Sequence, residues 1–326
     1  MTLPEKRTME WDPTQFFRED EDMTPPPFAL VVLNQPINEI ALSVLREHAL
    51  TTVCADGGAN RFFESAKSRG VEGTDIPDTI IGDLDSIRPE IRAHYASLGV
   101  NIVQDDDQYS TDFTKSLRYL REHEERFISS YADRISKSPA HHPIITRDPV
   151  SGERRRLEIL ILGGLGGRVD QAFSQIHHLY MMNQQQNTSG PGSGANTGHL
   201  YLISEESITF ILQPGPNTIH VPRTNRPHTS TTSETDNPNA KTHRLPESTV
   251  DEEDHLLEEN VGIIPLSGPA RITTSGFQWD VEDWATKIGG QISTSNHIRA
   301  EVVHVNTNVP VLFTVELARR LKRVSR

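Results

Sequence analysis

The sequence predicts an α/β fold, in which a parallel-sheet domain is followed by a C-terminal antiparallel β-sandwich domain. From residue 28 to residue 204 short apolar runs alternate with helical patterns, which is typical of parallel βαβ units. Two of the runs, FALVVL and LEILIL, are continuously apolar, as expected for strands that are covered on both faces. After residue 204 the helical patterns stop, and short β-type runs separated by Gly and Pro turn signals follow.

The elements of the first half follow from these runs in chain order. Strands are predicted where the runs are short and apolar, at 28–33, 51–55, 78–81, 100–103, 157–162 and 199–204. Helices are predicted where apolar residues recur at helical spacing, at 37–50, 59–69, 89–98, 111–124 and 169–182. The second half is predicted to hold strands at 208–212, 218–221, 261–266, 270–274, 291–294, 302–306 and 311–317.

These patterns divide the chain into a flexible tail at 1–27, an α/β domain at 28–206 and a β-sandwich domain at 207–326. Three polar segments interrupt the pattern, at 126–156, 183–198 and 222–258, and the last two are of low complexity. Such compositions bury too little apolar surface to offset the entropy of ordering, so we expect all three to be surface insertions.

Composition excludes several classes of protein. The formal net charge is −13, which disfavours sequence-independent binding to nucleic acid or to an anionic membrane. Cys54 is the single cysteine, so an intramolecular disulfide is excluded. The N-terminus lacks an apolar signal region and no apolar run approaches the roughly 20 residues of a membrane span. We therefore expect a cytoplasmic protein.

Acidic and glycine residues cluster after four of the predicted parallel strands, where ligands of such sheets bind. Gly82-Asp83-Leu84-Asp85-Ser86 places two carboxylates two residues apart, and Asp112 follows the next strand. Carboxylates in this arrangement suit Mg²⁺, which takes one or two of them together with substrate phosphates. The alternative is that each Asp caps a turn or a helix.

The glycine-rich turns Asp56-Gly57-Gly58-Ala59-Asn60 and GGLGGR are candidates for phosphate contacts by backbone N–H groups at a helix N-terminus. The second turn fits neither the P-loop nor the G-x-G-x-x-G dinucleotide pattern. Arg168 and Asp170 beside it add a cation and a carboxylate. Thr111 and Lys115 share one helix face, which suits a Mg²⁺–polyphosphate but also fits an ordinary helix cap with a solvated lysine.

Six motifs in order resemble the thiamine pyrophosphokinase family, and the inserts resemble those of its fungal members. The motifs are CADGGANRFFE, DTIIGDLDSI, DQYSTDFTK, ILGGLGGRVDQ, IIPLSGPARITTSGFQWD and STSN. The resemblance implies an enzyme that transfers the pyrophosphoryl group of ATP to the hydroxyl of thiamine, giving thiamine diphosphate and AMP. It also implies a homodimer whose active sites lie between the subunits.

Carried over by position, the resemblance assigns roles to individual residues. It places Asp83, Asp85 and Asp112 on the Mg²⁺-binding acids. It places nucleotide and phosphate contacts on Asp56, Gly57, Gly58, Asn60, Gln108, Thr111, Lys115, Gly164, Gly166, Gly167, Arg168 and Asp170. The thiamine side falls on Trp279, Ser295 and Asn296, of which Trp279 offers an aromatic face to a flat cation and otherwise fits a sandwich core.

The residues alone leave two further classes open. One is a nucleotide-binding regulatory protein without turnover, and the other is a dinucleotide-dependent oxidoreductase, which the missing G-x-G-x-x-G pattern disfavours. The set of acids favours an enzyme in which positioning and charge neutralisation carry the transfer.

Overall fold

The computed structural model describes residues 8–18, 26–136, 156–188, 198–227 and 254–323. Sixteen strands and six α-helices lie in these ranges. The strands are β1 Met9–Trp11, β2 Phe28–Val32, β3 Thr51–Ala55, β4 Thr79–Gly82, β5 Asn101–Gln104, β6 Glu158–Leu162, β7 Leu200–Ile203, β8 Ser207–Leu212, β9 Gly215–His220, β10 Thr224–Asn225, β11 Leu257–Pro265, β12 Ala270–Ser275, β13 Trp284–Thr286, β14 Ser293–His297, β15 Val302–Thr307 and β16 Val311–Leu317. The helices are α1 Glu39–His48, α2 Gly58–Ser68, α3 Pro89–Ser97, α4 Asp112–Glu122, α5 Glu124–Ser136 and α6 Val169–Thr188.

One large sheet runs through both halves of the molecule in the order β10-β11-β16-β8-β7-β6-β2-β3-β4-β5, with β14 also paired to β11. The six strands from β7 to β5 are parallel, and the sheet turns antiparallel at the β7–β8 pair. A second sheet has the order β1-β9-β15-β12-β13 and is mixed, because β1 lies parallel to β9. The predicted fold class, an α/β half followed by a β-rich half, is confirmed. The sheet is continuous across the position where we predicted the domain boundary.

Period-two alternation of side chains explains how the parallel strands bury both faces. In β2, Leu30 and Val32 pack in a core with helices α1, α2 and α3. Ala29 and Val31 face the opposite core, which contains residues of α4, α5 and α6. The first core continues into the space between the large sheet and the second sheet, so the two halves share one hydrophobic interior.

The structure corrects the prediction that residues 1–27 form a flexible tail, because residues 8–18 are part of the fold. Strand β1 pairs with β9, and Trp11, Phe16 and Phe17 are buried. The Trp11 indole Nε1 donates to Asn217 Oδ1 at 3.0 Å, and the Phe16 ring packs against Tyr201 at 5.0 Å. Apolar aromatic residues spaced through a polar segment were the signal in the sequence, but only their partners in β7, β8 and β9 show that the segment is part of the core.

The predicted bounds of the insertions are also corrected, because regular elements extend into them. Helix α5 occupies 124–136 and buries Ile128, and α6 continues to Thr188. Strand β10 lies at 224–225, and β11 begins at Leu257. Of the three predicted insertions, residues 137–155, 189–197 and 228–253 lie outside the described residues. In the described ranges, none of the helices is both long and apolar enough to cross a bilayer.

Candidate active site

Three carboxylates meet at the carboxyl ends of β3 and β4 and the start of α4. Oxygens of Asp56, Asp83 and Asp112 all lie within 4.8 Å of one another. Gly82 makes this approach possible, because a Cβ there would lie 2.6 Å from the Cβ of Asp56 and 2.9 Å from Asp112 Oδ1. Two of the three predicted metal acids, Asp83 and Asp112, are therefore brought together, and Asp56 joins them.

Asp56 also binds the backbone of the loop that carries Asp83 and Asp85. Its carboxylate accepts hydrogen bonds from the backbone N–H groups of Ser86 and Ile87, at 3.0 and 2.9 Å. Burial raises the pKa of Asp56 to about 6, although these two N–H donors oppose the shift. The backbone at Asp56 has φ 38° and that at Leu84 has φ 65°, a left-handed conformation that non-glycine residues rarely adopt. Strained backbone of this kind often accompanies functional sites.

Asn60 also forms hydrogen bonds with the loop after β4. Its Nδ2 donates to the Ser86 carbonyl at 2.9 Å, and its Oδ1 accepts from the Arg88 N–H at 3.0 Å. Both polar ends of the side chain are therefore engaged with the loop after β4. The resemblance assigned Asn60 to the nucleotide. In the structure its side chain instead binds the backbone of the loop after β4, which carries Asp83 and Asp85.

Asp85 is next to the three clustered acids but is not a member of the group whose oxygens converge. Its side chain is exposed and accepts from the Ser86 hydroxyl at 2.8 Å, while its own N–H points to Asp83 Oδ1 at 3.3 Å. Its assignment as a metal ligand stays a prediction from the motif.

Lys115 is buried beneath the acid cluster. The Nζ lies 3.3 Å from Asp112 Oδ1, and the side chain is 1% exposed. Thr111 caps α4 by accepting the Thr114 N–H at 3.2 Å, which sets Asp112 and Lys115 one turn apart on the same face. Burial raises the pKa of Asp112, and Lys115 opposes this shift. The arrangement places one cation against three carboxylates, so the site retains excess negative charge that a metal ion would balance.

The glycine-rich loop after β6 lies at the same edge of the sheet, separated from the end of β3 by β2. Gly166 and Gly167 have φ 127° and 63°, which favours glycine at both positions. Arg168 is exposed and pairs with Asp170 at 2.6 Å, and this pairing lowers the pKa of Asp170. Gln108 is exposed in the loop after β5.

The residues assigned to thiamine lie in the second half. The Trp279 side chain is 55% exposed and its ring centroid lies 5.2 Å from that of His297. Asn296 is buried, accepts the Trp279 N–H at 3.2 Å and donates to the Trp279 carbonyl at 3.0 Å. Ser295, with φ 58°, borders a cleft of about 540 Å³ that Leu165 and Gly166 also border. One cleft therefore joins the glycine-rich loop to β14.

Two polar residues at this edge were missed by sequence analysis. Asn34 and Gln35 follow β2 after Leu33 and lie against glycines of the two glycine-rich turns. The rule that ligands bind beyond the carboxyl ends of parallel strands, applied to FALVVL as it was to the other runs, would have identified them.

Comparison with known proteins assigns both halves to one family. Residues 42–189 match the family described as thiamin pyrophosphokinase, catalytic domain, and residues 243–312 match thiamin pyrophosphokinase, vitamin B1 binding domain. Thiamine pyrophosphokinase 1 of Oryza sativa subsp. japonica is 29% identical over 300 residues, covering 89% of this chain and 87% of the relative. The thiamine pyrophosphokinase of Saccharomyces cerevisiae is 25% identical over 319 residues, covering 92% and 86%.

Solved structures show the same fold. Thiamin pyrophosphokinase from Candida albicans superposes with a TM-score of 0.68 at 24% identity, covering 97% of this chain and 95% of that one. The yeast enzyme superposes with a TM-score of 0.67 at 21% identity, covering 96% and 92%. Because both domain families match in order along a chain that the relatives cover nearly from end to end, this protein belongs to the thiamine pyrophosphokinase family.

Proposed function

We propose that this enzyme transfers the pyrophosphoryl group of Mg²⁺–ATP to the hydroxyl of thiamine, giving thiamine diphosphate and AMP. The observation that carries the proposal is the cluster of Asp56, Asp83 and Asp112 at the carboxyl edge of a parallel sheet, in a chain of this family. Family membership supports a catalyst over a regulatory nucleotide-binding protein.

The clustered acids fit a magnesium ion. The donor set consists of carboxylate oxygens, which Mg²⁺ prefers, and their separation of at most 4.8 Å allows them to face one ion. Asp56, Asp83 and Asp112 would hold it, with Asp85 as a further candidate from the motif. A bound magnesium ion supplies Lewis acidity that neutralises polyphosphate charge.

The remaining groups at this edge position the nucleotide and offset its charge. Lys115, held by Asp112, contributes a buried cation near the acids. A phosphate would compete with Asp170 for the exposed guanidinium of Arg168. Since pyrophosphoryl transfer requires alignment more than covalent help, such fixed charges and backbone donors are what the reaction needs from the protein.

Trp279 offers the thiamine ring an exposed aromatic face, for stacking and cation–π attraction. Asn296 binds the Trp279 backbone with both ends of its amide and also accepts the His297 N–H, so we assign it to positioning Trp279. Ser295 and Gly166 border one cleft, which supports the assignment of Ser295 to a thiamine side that adjoins the nucleotide loops.

The acids are tested by measuring AMP release from Mg²⁺–ATP and thiamine. Asp83→Asn and Asp112→Asn should each lower kcat by on the order of 100-fold, as loss of a charge-stabilising group does. Asp106→Asn is the matched control, since Asp106 is exposed in the loop after β5 and accepts only from Gln104 within the described residues. Near-normal turnover of both site variants would show that these acids only cap turns. Asp85→Asn, measured in parallel, decides whether the metal site extends to that residue.

We further propose a homodimer with composite active sites, as the resemblance implies. Asp83→Asn fails on the nucleotide side and Trp279→Ala on the thiamine side, so a hybrid dimer would contain one intact site. After subunit exchange, activity should return to at most about a quarter of wild type, because half of the dimers are hybrids with one working site each. If verified exchange restores nothing, each site lies within one chain, as the cleft joining Ser295 to Gly166 would then allow. Cytoplasmic location remains an expectation from the sequence.

A further inference from the structure

The carboxyl end of β2 occupies the topological switch point of the parallel sheet. From β2 the chain adds β3, β4 and β5 on one side and then returns to add β6 on the other side of β2. In open parallel sheets the crevice beyond the strand ends at such a reversal is where ligands bind. Asn34 and Gln35 lie at this point, just after β2 and beside the glycine-rich turn that follows β6.

Three glycines from the two glycine-rich turns pack directly around this pair. A Cβ on Gly57 would lie 2.3 Å from Asn34 Nδ2, and one on Gly167 would lie 2.4 Å from Gln35 Oε1. A Cβ on Gly163 would lie 2.8 and 2.9 Å from the carbonyl oxygens of Leu33 and Gln35. The turns after β3 and β6 therefore both approach the β2 loop with backbone alone, and the two side-chain amides lie between them.

The amides at this point are not used by the fold. Within the ranges that the structure describes, neither the Asn34 nor the Gln35 side chain forms a hydrogen bond. Nearby on α6, Gln175 Oε1 is buried and also lacks a partner among the described residues, and its Cγ lies 3.5 Å from the position of a Cβ on Gly164. Asn34 is exposed and Gln35 is half-buried, so neither amide is fixed by the fold, and both are free to donate hydrogen bonds to a polar ligand at this strand edge.

The charge at the carboxyl edge of the sheet determines which kind of ligand Asn34 and Gln35 can bind there. Asp56, Asp83 and Asp112 already place three carboxylates there, and Asn34 lies against Gly57, the residue after Asp56. A neutral amide donates a hydrogen bond to phosphate without adding repulsion, whereas a further carboxylate would repel it. Gly57 also precedes α2, whose N-terminal N–H groups favour an anion.

We propose that Asn34 and Gln35 bind the phosphates of the nucleotide, donating side-chain hydrogen bonds to phosphate oxygens at the β2–β6 switch point. The proposal rests on the proposed function for the identity of the nucleotide as ATP. It adds the β2 loop to the acids and the glycine turns as a third part of the nucleotide site.

The test measures binding without turnover. The full chain is titrated calorimetrically with α,β-methylene-ATP and Mg²⁺, because this analogue replaces the bridging oxygen at which the pyrophosphoryl group is cleaved. Loss of one hydrogen bond to a charged group should weaken binding about 10- to 100-fold in Asn34→Ala. Gln35→Ala should weaken it in the same direction, and Asn34→Asp should weaken it more than Asn34→Ala, because it also adds repulsion.

The matched control is Asn101→Asp, which makes the same charge change at the amino end of β5, on the opposite edge of the sheet. Its affinity for the analogue should stay within about twofold of wild type. Wild-type affinity in both Asn34→Ala and Gln35→Ala would overturn the proposal. Asn34 is exposed, so Asn34→Ala, checked by circular dichroism, provides a folded variant even if Asn34→Asp does not fold. Wild-type protein that binds the analogue but makes no AMP from ATP and thiamine would refute the proposed function and leave this assignment standing.

Discussion

Replacing Trp11 by alanine should lower the free energy of unfolding by about 3–5 kcal/mol, the usual range for removing a buried tryptophan. The side chain is 2% exposed, and its ring stacks on Phe210 with centroids 4.9 Å apart and packs against His199 at 4.2 Å. Natural domains are stable by only about 5–15 kcal/mol, so the loss would be a large part of the total.

A conservative variant separates the hydrogen bond from the packing. Trp11→Phe keeps most of the apolar contact but removes the Nε1–H that donates to Asn217, a bond worth about 1 kcal/mol. Asn217 Oδ1 still accepts the Gln213 N–H at 3.1 Å, so the variant leaves no unpaired acceptor. Trp11→Phe should therefore cost much less than Trp11→Ala.

The assay is urea denaturation followed by circular dichroism, with Trp279→Ala as the matched control. Trp279 is 55% exposed, so its truncation should change the free energy of unfolding by less than about 0.5 kcal/mol. A loss below about 1 kcal/mol in Trp11→Ala would refute the conclusion that residues 8–18 belong to the core.

Two further predictions concern pH and close packing. Burial lowers the pKa of His199 in the folded protein to about 4 from an unfolded value of about 6.5, so the stability present above pH 6.5 is lost as the pH falls toward 4. Asp56, whose pKa is raised, acts in the opposite direction, so the contribution of His199 is measured as the difference between wild type and His199→Phe. Between pH 7.5 and pH 5, wild type should lose about 1–2 kcal/mol more than His199→Phe by chemical denaturation. Equal changes in the two proteins would contradict the assignment. Gly58→Ala should destabilise by about 1–3 kcal/mol, because its Cβ would lie 2.0 Å from the Val32 carbonyl oxygen and force α2 away from β2. Gly73→Ala, where a Cβ meets nothing within 4 Å, should leave the melting temperature nearly unchanged, and equal effects of the two substitutions would argue against this close approach.

The sequence by itself determined the order of the elements in the first half and the strand ends where chemistry is expected. Continuous apolar runs such as LEILIL identify parallel strands because both faces of the sheet are covered, and this requirement is local to the run. The acids of GDLDS and the Thr111–Lys115 spacing could be identified as candidates because the short-range pattern of a strand followed by a helix sets their position. The six motifs also sufficed to identify the family before any contact was known.

The tertiary structure alone decided which of these groups meet. Asp56 and Asp112 are 56 positions apart in the chain, and they join Asp83 because neighbouring parallel strands end at one edge and Gly82 lacks a side chain between them. Residues 8–18 are polar enough to read as a tail, yet β1 completes a sheet whose partner, β9, begins about 200 residues later. Strand pairing and burial depend on partners distant in sequence, and a local pattern carries no information about which partner is found.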